Sequence, residues 1–92
     1  MLRPFDGDVV AQADLIYSSI ATMLAVGGAS MADVVKTVEF VEEQTLPDYR
    51  GVADVRAKWF GKSFPAATGV VAEAILKREM VIEIIPTAVI AS

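Results

Sequence analysis

The sequence predicts an α+β fold in which a three-stranded sheet carries two helices on one face. Apolar residues recur with helical spacing in two segments, and β-branched residues are concentrated in three others. The order along the chain is helix, strand, helix, strand, strand. Because 92 residues fall just below the usual domain size of about 100–150, residues 1–92 are assigned to a single domain.

The first helix is predicted from Val9 to Val26, and its buried stripe comprises Val9, Ala13, Ile16, Ile20 and Met23. Gln12 falls on the opposite side of this helix, which is expected to face solvent. Asp8 is placed at the N-cap, and Gly27-Gly28 ends the helix, because glycine accepts the left-handed conformation common just past a helix end.

A second helix is predicted from its N-cap, Asp48, to Phe60, and Gly61 ends it. Its buried stripe comprises Val52, Val55 and Trp59, and its solvent-facing side comprises Arg50, Asp54 and Lys58. The aromatic pair at its end, Trp59 and Phe60, is assigned to the core.

The first strand is predicted over residues 35–41, with Val38 and Phe40 facing the core. Residues 68–76 and 80–90 are predicted to pair as a hairpin. Helices on one face leave the other face of the sheet bare, and the residues expected to line it are Val71, Ile75 and Val81. The simplest cover for that face is the same face of another subunit, which predicts a ring with clefts between chains.

The composition supports self-association and excludes several chemistries. Hydrophobic residues make up 54% of the chain, more than a monomer of this size easily buries. The chain has no cysteine and no histidine, which excludes disulfides, thiol nucleophiles, histidine-based catalysis and histidine-containing metal sites. A net charge of −4 with scattered basic residues argues against nucleic-acid partners and anionic membranes.

The longest uncharged stretch, Leu15–Ala32, is about the length of a membrane span, but its serines, threonine and glycines favour a soluble helix followed by a turn. The segment Met1–Asp6 lacks the apolar core and cleavage site of a secretory signal. We therefore expect a cytoplasmic protein.

Three stretches of the sequence together resemble one family. Gly27–Val41 contains Asp-Val-Val-Lys-Thr followed by Phe-Val, Trp59–Thr68 contains an aromatic pair, a glycine and Pro-Ala-Ala-Thr, and Leu76–Ile84 ends in Ile-Glu-Ile. Their order and spacing are similar to those of the YjgF/RidA (YER057c/UK114) family, often called enamine/imine deaminases. The resemblance covers roughly residues 7–90. It implies a chorismate-mutase-like sandwich with a mixed sheet, assembled as a homotrimer with ligand sites between subunits.

The resemblance also assigns roles to two positions. Glu83 occupies the position of a glutamate that helps to position the attacking water. Ala67 stands where active members have an arginine that grips the substrate carboxylate, and alanine offers neither of the two charge-assisted hydrogen bonds that a guanidinium makes. The chain also begins where the family's N-terminal β-hairpin would already have ended, so the resemblance implies a shortened member.

Three further residues are candidate ligand contacts. Thr68 and Gly69 offer a hydroxyl and an approachable backbone amide, although a strand that starts after a proline also uses such residues for no special reason. Arg56, beside the buried stripe of the second helix, is a candidate replacement for the missing carboxylate-binding arginine. The alternative is that Arg56 is a solvated arginine. Glu83 either faces solvent by alternation or points into a cleft. No cofactor or metal is implied.

Two classes of function follow. One is hydrolysis of a small enamine or imine, weak or divergent because Ala67 replaces the arginine, with Glu83 guiding water. The other is a non-catalytic trimer that binds a metabolite in its inter-subunit clefts or another protein on its surface. A shortened chain that needs a partner to supply the missing hairpin is a third hypothesis.

Overall fold

A computed structural model describes residues 3–90, so the two residues at each end of the predicted domain lie outside the described part. The helices are α1 (Val9–Val26), α2 (Leu46–Tyr49) and α3 (Val52–Phe60). The strands are β1 (Val34–Glu42), β2 (Ala66–Ala72) and β3 (Ile82–Ala88). Short 3-10 turns occupy Pro4–Gly7, Met31–Asp33 and Glu43–Thr45.

The three strands form a mixed sheet in the order β2-β1-β3. The central strand, β1, runs parallel to β2 and antiparallel to β3. Helices α1 and α3 pack on one face of this sheet, and their side chains share one core with it. The α+β fold class predicted from the sequence is therefore confirmed.

The predicted hairpin between the last two strands is wrong, because β2 and β3 lie on opposite sides of β1. The segment β1-α3-β2 forms a parallel unit in which the chain crosses over the sheet through a helix. Strand β3 then pairs with the other side of β1, where it packs against α1 and buries Ile82 and Ile84. Burial of these two isoleucines favours this side of β1 over a hairpin at the β2 edge.

Most of the predicted helix stripes form the core. The buried hydrophobic residues of the two helices are Val9, Ala13, Tyr17 and Ile20 of α1 and Val52, Val55 and Phe60 of α3. The rings of Tyr17 and Phe60 meet edge to face, with centroids 5.4 Å apart. Trp59 packs against this core and is half-buried, whereas Met23, predicted in the stripe, is exposed near the end of α1.

Gln12 is buried, contrary to the prediction that it faces solvent. Its side-chain amide donates to the carbonyl oxygens of Pro4 and Glu79, and its oxygen accepts from the backbone N–H of Val81 at 2.7 Å. The side chain thereby satisfies backbone groups of two segments, the 3-10 turn that starts at Pro4 and the loop before β3. Such tertiary contacts override the polar character on which the prediction depended.

The predicted ends of α1 are confirmed. The Asp8 carboxylate accepts hydrogen bonds from the backbone N–H groups of Val10 and Ala11, at 2.9 and 3.2 Å. The second predicted helix is instead divided into α2 and α3, and Asp48 lies inside α2 rather than at a cap. At the division, a β-carbon on Gly51 would come within 2.8 Å of Val10 Cγ2, so only glycine lets α3 start this close to α1.

The two faces of β1 are the reverse of the prediction. Thr37, Glu39 and Val41 are buried and point towards the helices, whereas Val38 and Phe40 are half-buried on the other face. Apolar residues occupy both alternating sets of this strand, so its pattern does not fix which set faces the helices. The helix-facing set is the one that includes Glu39, whose carboxylate meets three hydrogen-bond donors there.

The face of the sheet without helices, called here the open face, presents Val38, Phe40, Thr68, Val70, Glu83 and Ile85 by strand register. The predicted lining residues Val71, Ile75 and Val81 are wrong. Ile75 and Val81 are buried and lie outside the strands, since β2 ends at Ala72 and β3 begins at Ile82. Val71 alternates onto the helix-facing side of β2. A bare apolar face is nevertheless present, as predicted.

Helix α1 is long and apolar enough to cross a membrane by length and composition alone. Core helices of soluble proteins share these properties. In this fold α1 buries Val9, Ala13, Tyr17 and Ile20 against the sheet and α3. This packing agrees with the interpretation of the uncharged stretch as a soluble helix followed by a turn.

Candidate functional site

Glu83 lies on β3 opposite Phe40, and its side chain is exposed on the open face. A concavity of ≈ 200 Å³ lies on the helix-facing side of β3, where β3, α1 and the loop before β3 meet, and Glu83 is among the residues that line it. Its remaining lining residues are Ile16, Ile75, Lys77, Met80, Ile82 and Ile84. Strand alternation directs the Glu83 side chain onto the open face, away from Ile82 and Ile84 of this concavity. An exposed carboxylate in that position can orient water or a polar group of a small molecule.

The three candidate residues of β2, Ala67, Thr68 and Gly69, are all exposed. By register Thr68 shares the open face, whereas Ala67 and Gly69 alternate onto the helix-facing side, next to Thr37 and Glu39 of β1. Strand β1 separates all three from Glu83, which places their backbones about 10 Å apart, two strand spacings. The structure therefore does not bring Glu83 and the β2 residues together within one chain.

Arg56 is ion-paired with Glu39 and is not a fully solvated arginine. Its Nη1 lies 2.5 Å from Glu39 Oε1, and 20% of its side chain is exposed, against 0% for that of Glu39. A guanidinium carries five N–H donors, and Nη1 supplies the one that bonds Glu39. Arg56 therefore connects a buried carboxylate to the surface.

Glu39 is the centre of a buried polar cluster, called here the Glu39 cluster, made of Glu39, Tyr17, Tyr49 and Arg56. The Tyr17 hydroxyl donates to Glu39 Oε2 at 2.5 Å, and the Tyr49 hydroxyl donates to Oε1 at 2.6 Å. Helices α1, α2 and α3 each supply one of the three donors, and β1 supplies the acceptor. A buried carboxylate is stable only when it is paired and hydrogen-bonded in this way.

The two tyrosines of the cluster are held in their neutral form. Burial, and next the hydrogen bond to the Glu39 carboxylate, raise the pKa of Tyr17 above its ordinary value. The same two causes raise the pKa of Tyr49 to about 12. Both hydroxyls therefore act as hydrogen-bond donors throughout the physiological pH range.

Two features where β1 pairs with β2 lie next to this cluster. The Thr37 hydroxyl oxygen is buried and has no hydrogen-bond partner among the described residues. Thr37 pairs with Ala67, and Glu39 pairs with Gly69, so the cluster borders the exposed β2 backbone. A β-carbon on Gly69 would come within 2.8 Å of the Tyr49 hydroxyl, which shows how closely that side chain approaches the strand.

Sequence reasoning missed Glu39, Tyr17 and Tyr49 as parts of a polar cluster. The available signal was a glutamate inside a strand of β-branched residues, together with the two tyrosines, the only ones in the chain. Among residues 3–90, no three acidic side chains lie close enough together to hold a metal ion.

The sequence matches the family model described as Endoribonuclease L-PSP over residues 3–90. The chain belongs to this family. A search of the curated proteins finds no match. Among solved structures, Rv2704 from Mycobacterium tuberculosis, described as a member of the YjgF/YER057c/UK114 family, superposes with a TM-score of 0.82 at 31% identity. That match covers 91% of this chain and 70% of the other.

Two further structures of this family agree. YyfB of the Rid protein family from Yersinia pestis gives a TM-score of 0.81 at 26% identity, covering 91% of this chain and 64% of that one. RidA from the Antarctic bacterium Psychrobacter sp. PAMC 21119 gives a TM-score of 0.76 at 26% identity, and the match covers 85% of this chain and 61% of that one. The chain thus spans between 61% and 70% of the length of these relatives. The YjgF/RidA resemblance and its fold are confirmed.

Proposed function

We propose that this protein is a RidA-like small-molecule-binding protein whose ligand clefts lie between the subunits of a homotrimer. The observation that carries the proposal is the exposed carboxylate of Glu83, which lies on the open face at the position of the family glutamate. The open face supports the trimer, because Phe40, Val70 and Ile85 form an apolar surface that the helices leave uncovered.

The separation of the candidate residues supports a site between chains. Glu83 and Ala67–Gly69 lie on opposite edge strands of the sheet, so one small ligand cannot contact both within a single chain. A second subunit placed against the open face can bring its β2 to the Glu83 of the first. The ligand would then contact Thr68 of one chain and Glu83 of the other.

The chemistry that fits this site is weak or divergent hydrolysis of an enamine or imine. Water adds to the carbon of the C=N bond, and cleavage of the C–N bond then releases a carbonyl compound and ammonia, with Glu83 orienting the water. Ala67 supplies no cation for a substrate carboxylate. Loss of one partner of such a charge-assisted pair costs about 2–5 kcal/mol, or roughly 30-fold to several thousand-fold in binding or rate.

The same alanine favours the second function, a non-catalytic trimer that binds a metabolite or another protein. The unpaired outer edges of β2 and β3, as far as residues 3–90 are concerned, also suit a partner that adds a strand. The net charge of −4 argues against nucleic-acid and anionic-membrane partners, although the family carries an endoribonuclease name.

The test generates a 2-imino acid in situ with an amino-acid oxidase and follows its disappearance with and without the protein. We expect little turnover by the natural chain, a gain of at least tenfold for Ala67→Arg, and loss of that gain in the Ala67→Arg, Glu83→Gln double variant. The matched control is the double variant Ala67→Arg, Glu43→Gln, in which the exposed Glu43 is replaced instead of Glu83. This control should keep the gain. Robust turnover by the natural chain would contradict the role given to Ala67.

Turnover by none of these forms would favour the binding function. Light scattering at micromolar concentration tests the assembly directly, and about three times the chain mass of 9.8 kDa is expected. A stable, well-folded monomer would contradict both the trimer and the inter-subunit cleft.

A further inference from the structure

An open groove lies on the helix-facing side of β3, between this strand and α1, and is called here the α1–β3 groove. Two concavities form it, one of ≈ 200 Å³ and one of ≈ 520 Å³, and both are lined by Ile16, Lys77, Met80 and Ile84. The volume of the larger one lies within the range of about 300–1,000 Å³ that is usual for small-molecule sites. Most of its other lining residues are apolar, among them Leu15, Ile20, Met23 and Pro86.

The wall of the groove opposite α1 is held in place by hydrogen bonds. The Gln12 side chain accepts from the backbone N–H of Val81 at 2.7 Å and donates to the carbonyl oxygen of Glu79 at 3.3 Å. Within the loop before β3, the N–H of Met80 donates to the carbonyl oxygen of Lys77 at 3.0 Å. These bonds fix Met80 and Lys77 beside the groove. A ligand therefore meets a largely preformed site, which keeps the ordering cost of binding low.

The dimensions of the groove suit a single hydrocarbon chain. Along α1 it extends from Ile16 to Met23, about 10 Å at 1.5 Å per residue. Along β3 it extends from Ile82 to Pro86, about 13 Å at 3.3 Å per residue. An extended chain of about eight to ten carbons has this length, because each carbon–carbon bond of about 1.5 Å advances the chain by somewhat less than its own length. The flexible side chain of Met23 can adapt to such a chain.

The charges lie at one end of the groove. Among the described residues that line the larger concavity, only Lys77 and Glu79 are charged, and Glu79 is bonded to Gln12, about three turns of α1 before Met23. Lys77 Nζ lies 4.0 Å from Glu79 Oε1, and 72% of the lysine side chain is exposed, so this ion pair is weak. Together with the exposed Arg78, the loop has two positive charges against one negative charge. The groove therefore complements an apolar chain with one negative charge at its end.

We propose that the α1–β3 groove binds a free medium-chain carboxylate, with the hydrocarbon chain between α1 and β3 and the carboxylate group at Lys77. This site goes beyond the proposed function, because it lies on the helix-facing side of the sheet and not on the open face. A trimer that forms through the open face would leave the groove uncovered. The net charge of −4 argues against an anionic membrane as the source of the hydrocarbon chain.

The test titrates protein labelled at its isoleucine and methionine methyl groups with decanoate and, separately, with decylammonium, which has the same chain and the opposite charge. We expect decanoate to shift the signals of Ile16, Met23, Met80 and Ile84 in a saturable manner. It should bind at least about fivefold more tightly than decylammonium, because an attraction to Lys77 becomes a repulsion. Equal affinities for the two ligands would overturn the proposal.

Chain length gives a second measurement with the same protein. From hexanoate through octanoate to decanoate, the affinity should rise by up to about fourfold for each added methylene, the value expected for its full burial. The same affinity for all three acids would show that the hydrocarbon chain is not bound in the groove, and would overturn the proposal.

Two pairs of variants locate the ligand. Ser19 is exposed in the groove and its hydroxyl bonds only to the Leu15 carbonyl oxygen of the same helix, so Ser19→Trp should fill the groove without disturbing the core. We expect it to weaken decanoate binding at least tenfold, whereas Ala25→Trp, at an exposed position of α1 outside the groove, should change little. Lys77→Gln should weaken binding about two- to fivefold, as for an exposed ion pair. The control Lys62→Gln replaces an exposed lysine just after α3 and should have no effect. Equal effects within either pair would overturn the proposal.

Two further outcomes would assign the groove or the ligand differently. Groove methyl signals that shift on dilution of the ligand-free protein, and no longer do so in Ser19→Trp, would show that a second copy of the chain fills the groove. Groove signals that stay unchanged with decanoate, while the amide signals of Thr68 and Glu83 shift, would place the ligand in the proposed inter-subunit cleft. Either result would overturn the groove site, and the second would leave the proposed function in place.

Discussion

The hydroxyl of Tyr49 lies over Gly69, where a β-carbon would come within 2.8 Å of it. The same hydroxyl donates to Glu39 Oε1 at 2.6 Å. The missing side chain at Gly69 therefore lets a residue of the helical layer reach down to the sheet and contact a buried carboxylate. This relationship connects an exposed position of the edge strand to the only fully buried acidic side chain of the described residues.

Gly69→Ala is expected to displace the Tyr49 hydroxyl and to weaken its hydrogen bond to Glu39. The expected cost is about 1.5–3 kcal/mol of unfolding free energy, the usual range for a lost hydrogen bond to a charged group. In a Tyr49→Phe background the hydroxyl is absent, so the same glycine substitution should cost much less. Urea unfolding of the two single variants and the double variant measures this coupling, and additive effects would contradict the contact.

The tyrosines are expected to resist ionisation while the protein is folded. Burial and the hydrogen bond to Glu39 raise the pKa of Tyr49 to about 12 and raise that of Tyr17 as well. Because the unfolded chain releases these protons near pH 10 and the folded chain does not, stability is full below about pH 10 and falls as the pH rises further.

Tyrosinate absorbance checks this expectation, since the chain contains only these two tyrosines. The folded protein should show no rise near pH 10, whereas the protein in urea should show the full rise. A rise of about half the amplitude near pH 10 in the folded protein would place one of the two hydroxyls in solvent.

Arg3 and Glu42 predict a pH dependence at the acidic end. The guanidinium of Arg3 donates to both oxygens of Glu42, at 2.9 and 3.1 Å, and this is the main reason that the pKa of Glu42 lies below its ordinary value of 4.5. Since the unfolded chain takes up the proton first, this contribution is present above about pH 4.5 and is lost as the pH falls further.

The variant Arg3→Gln should therefore lower stability at neutral pH and reduce its dependence on pH below about 4.5. Urea midpoints measured across this range for both proteins give the comparison. The exposed Glu43, changed as Glu43→Gln, provides the control, which should follow the natural chain. Parallel curves for Arg3→Gln and the natural chain would show that the ion pair contributes nothing in solution.

Local signals predicted the elements of this fold but not their arrangement. The Asp8 cap and the glycines after α1 and α3 depend on backbone conformation within a few residues, and these were predicted correctly. The pairing of β3 with β1 instead of β2 depends on burial of Ile82 and Ile84 under α1, which is a contact between segments far apart in sequence. The orientation of β1 also depends on contacts with distant segments. Both alternating sets of its side chains are partly apolar, so the strand alone does not determine which set faces the helices.

For the candidate site, too, the sequence predicted positions in the chain but not contacts between distant residues. The family motif gave the positions of Glu83 and Ala67, and the structure describes where each lies on the sheet. The partner of Arg56 could not be predicted, because Glu39 is 17 residues away on another element and reaches Arg56 only after the helices pack on the sheet. Polar clusters of this kind consist of residues that look unrelated in the sequence.

Chemical cross-linking between chains tests the inter-subunit cleft most directly. The chain contains no cysteine, so a short bis-maleimide reacts only with thiols introduced as Thr68→Cys in one preparation and Glu83→Cys in another. After the two preparations are unfolded and refolded together, the account predicts covalent dimers in large excess over those from either variant alone. In the control mixture, Thr68→Cys is replaced by Lys58→Cys, a variant of an exposed helix residue. The account predicts few dimers from this mixture. Equal yields from the two mixtures, or no dimer from either, would contradict a ligand cleft shared between Glu83 of one subunit and β2 of the next.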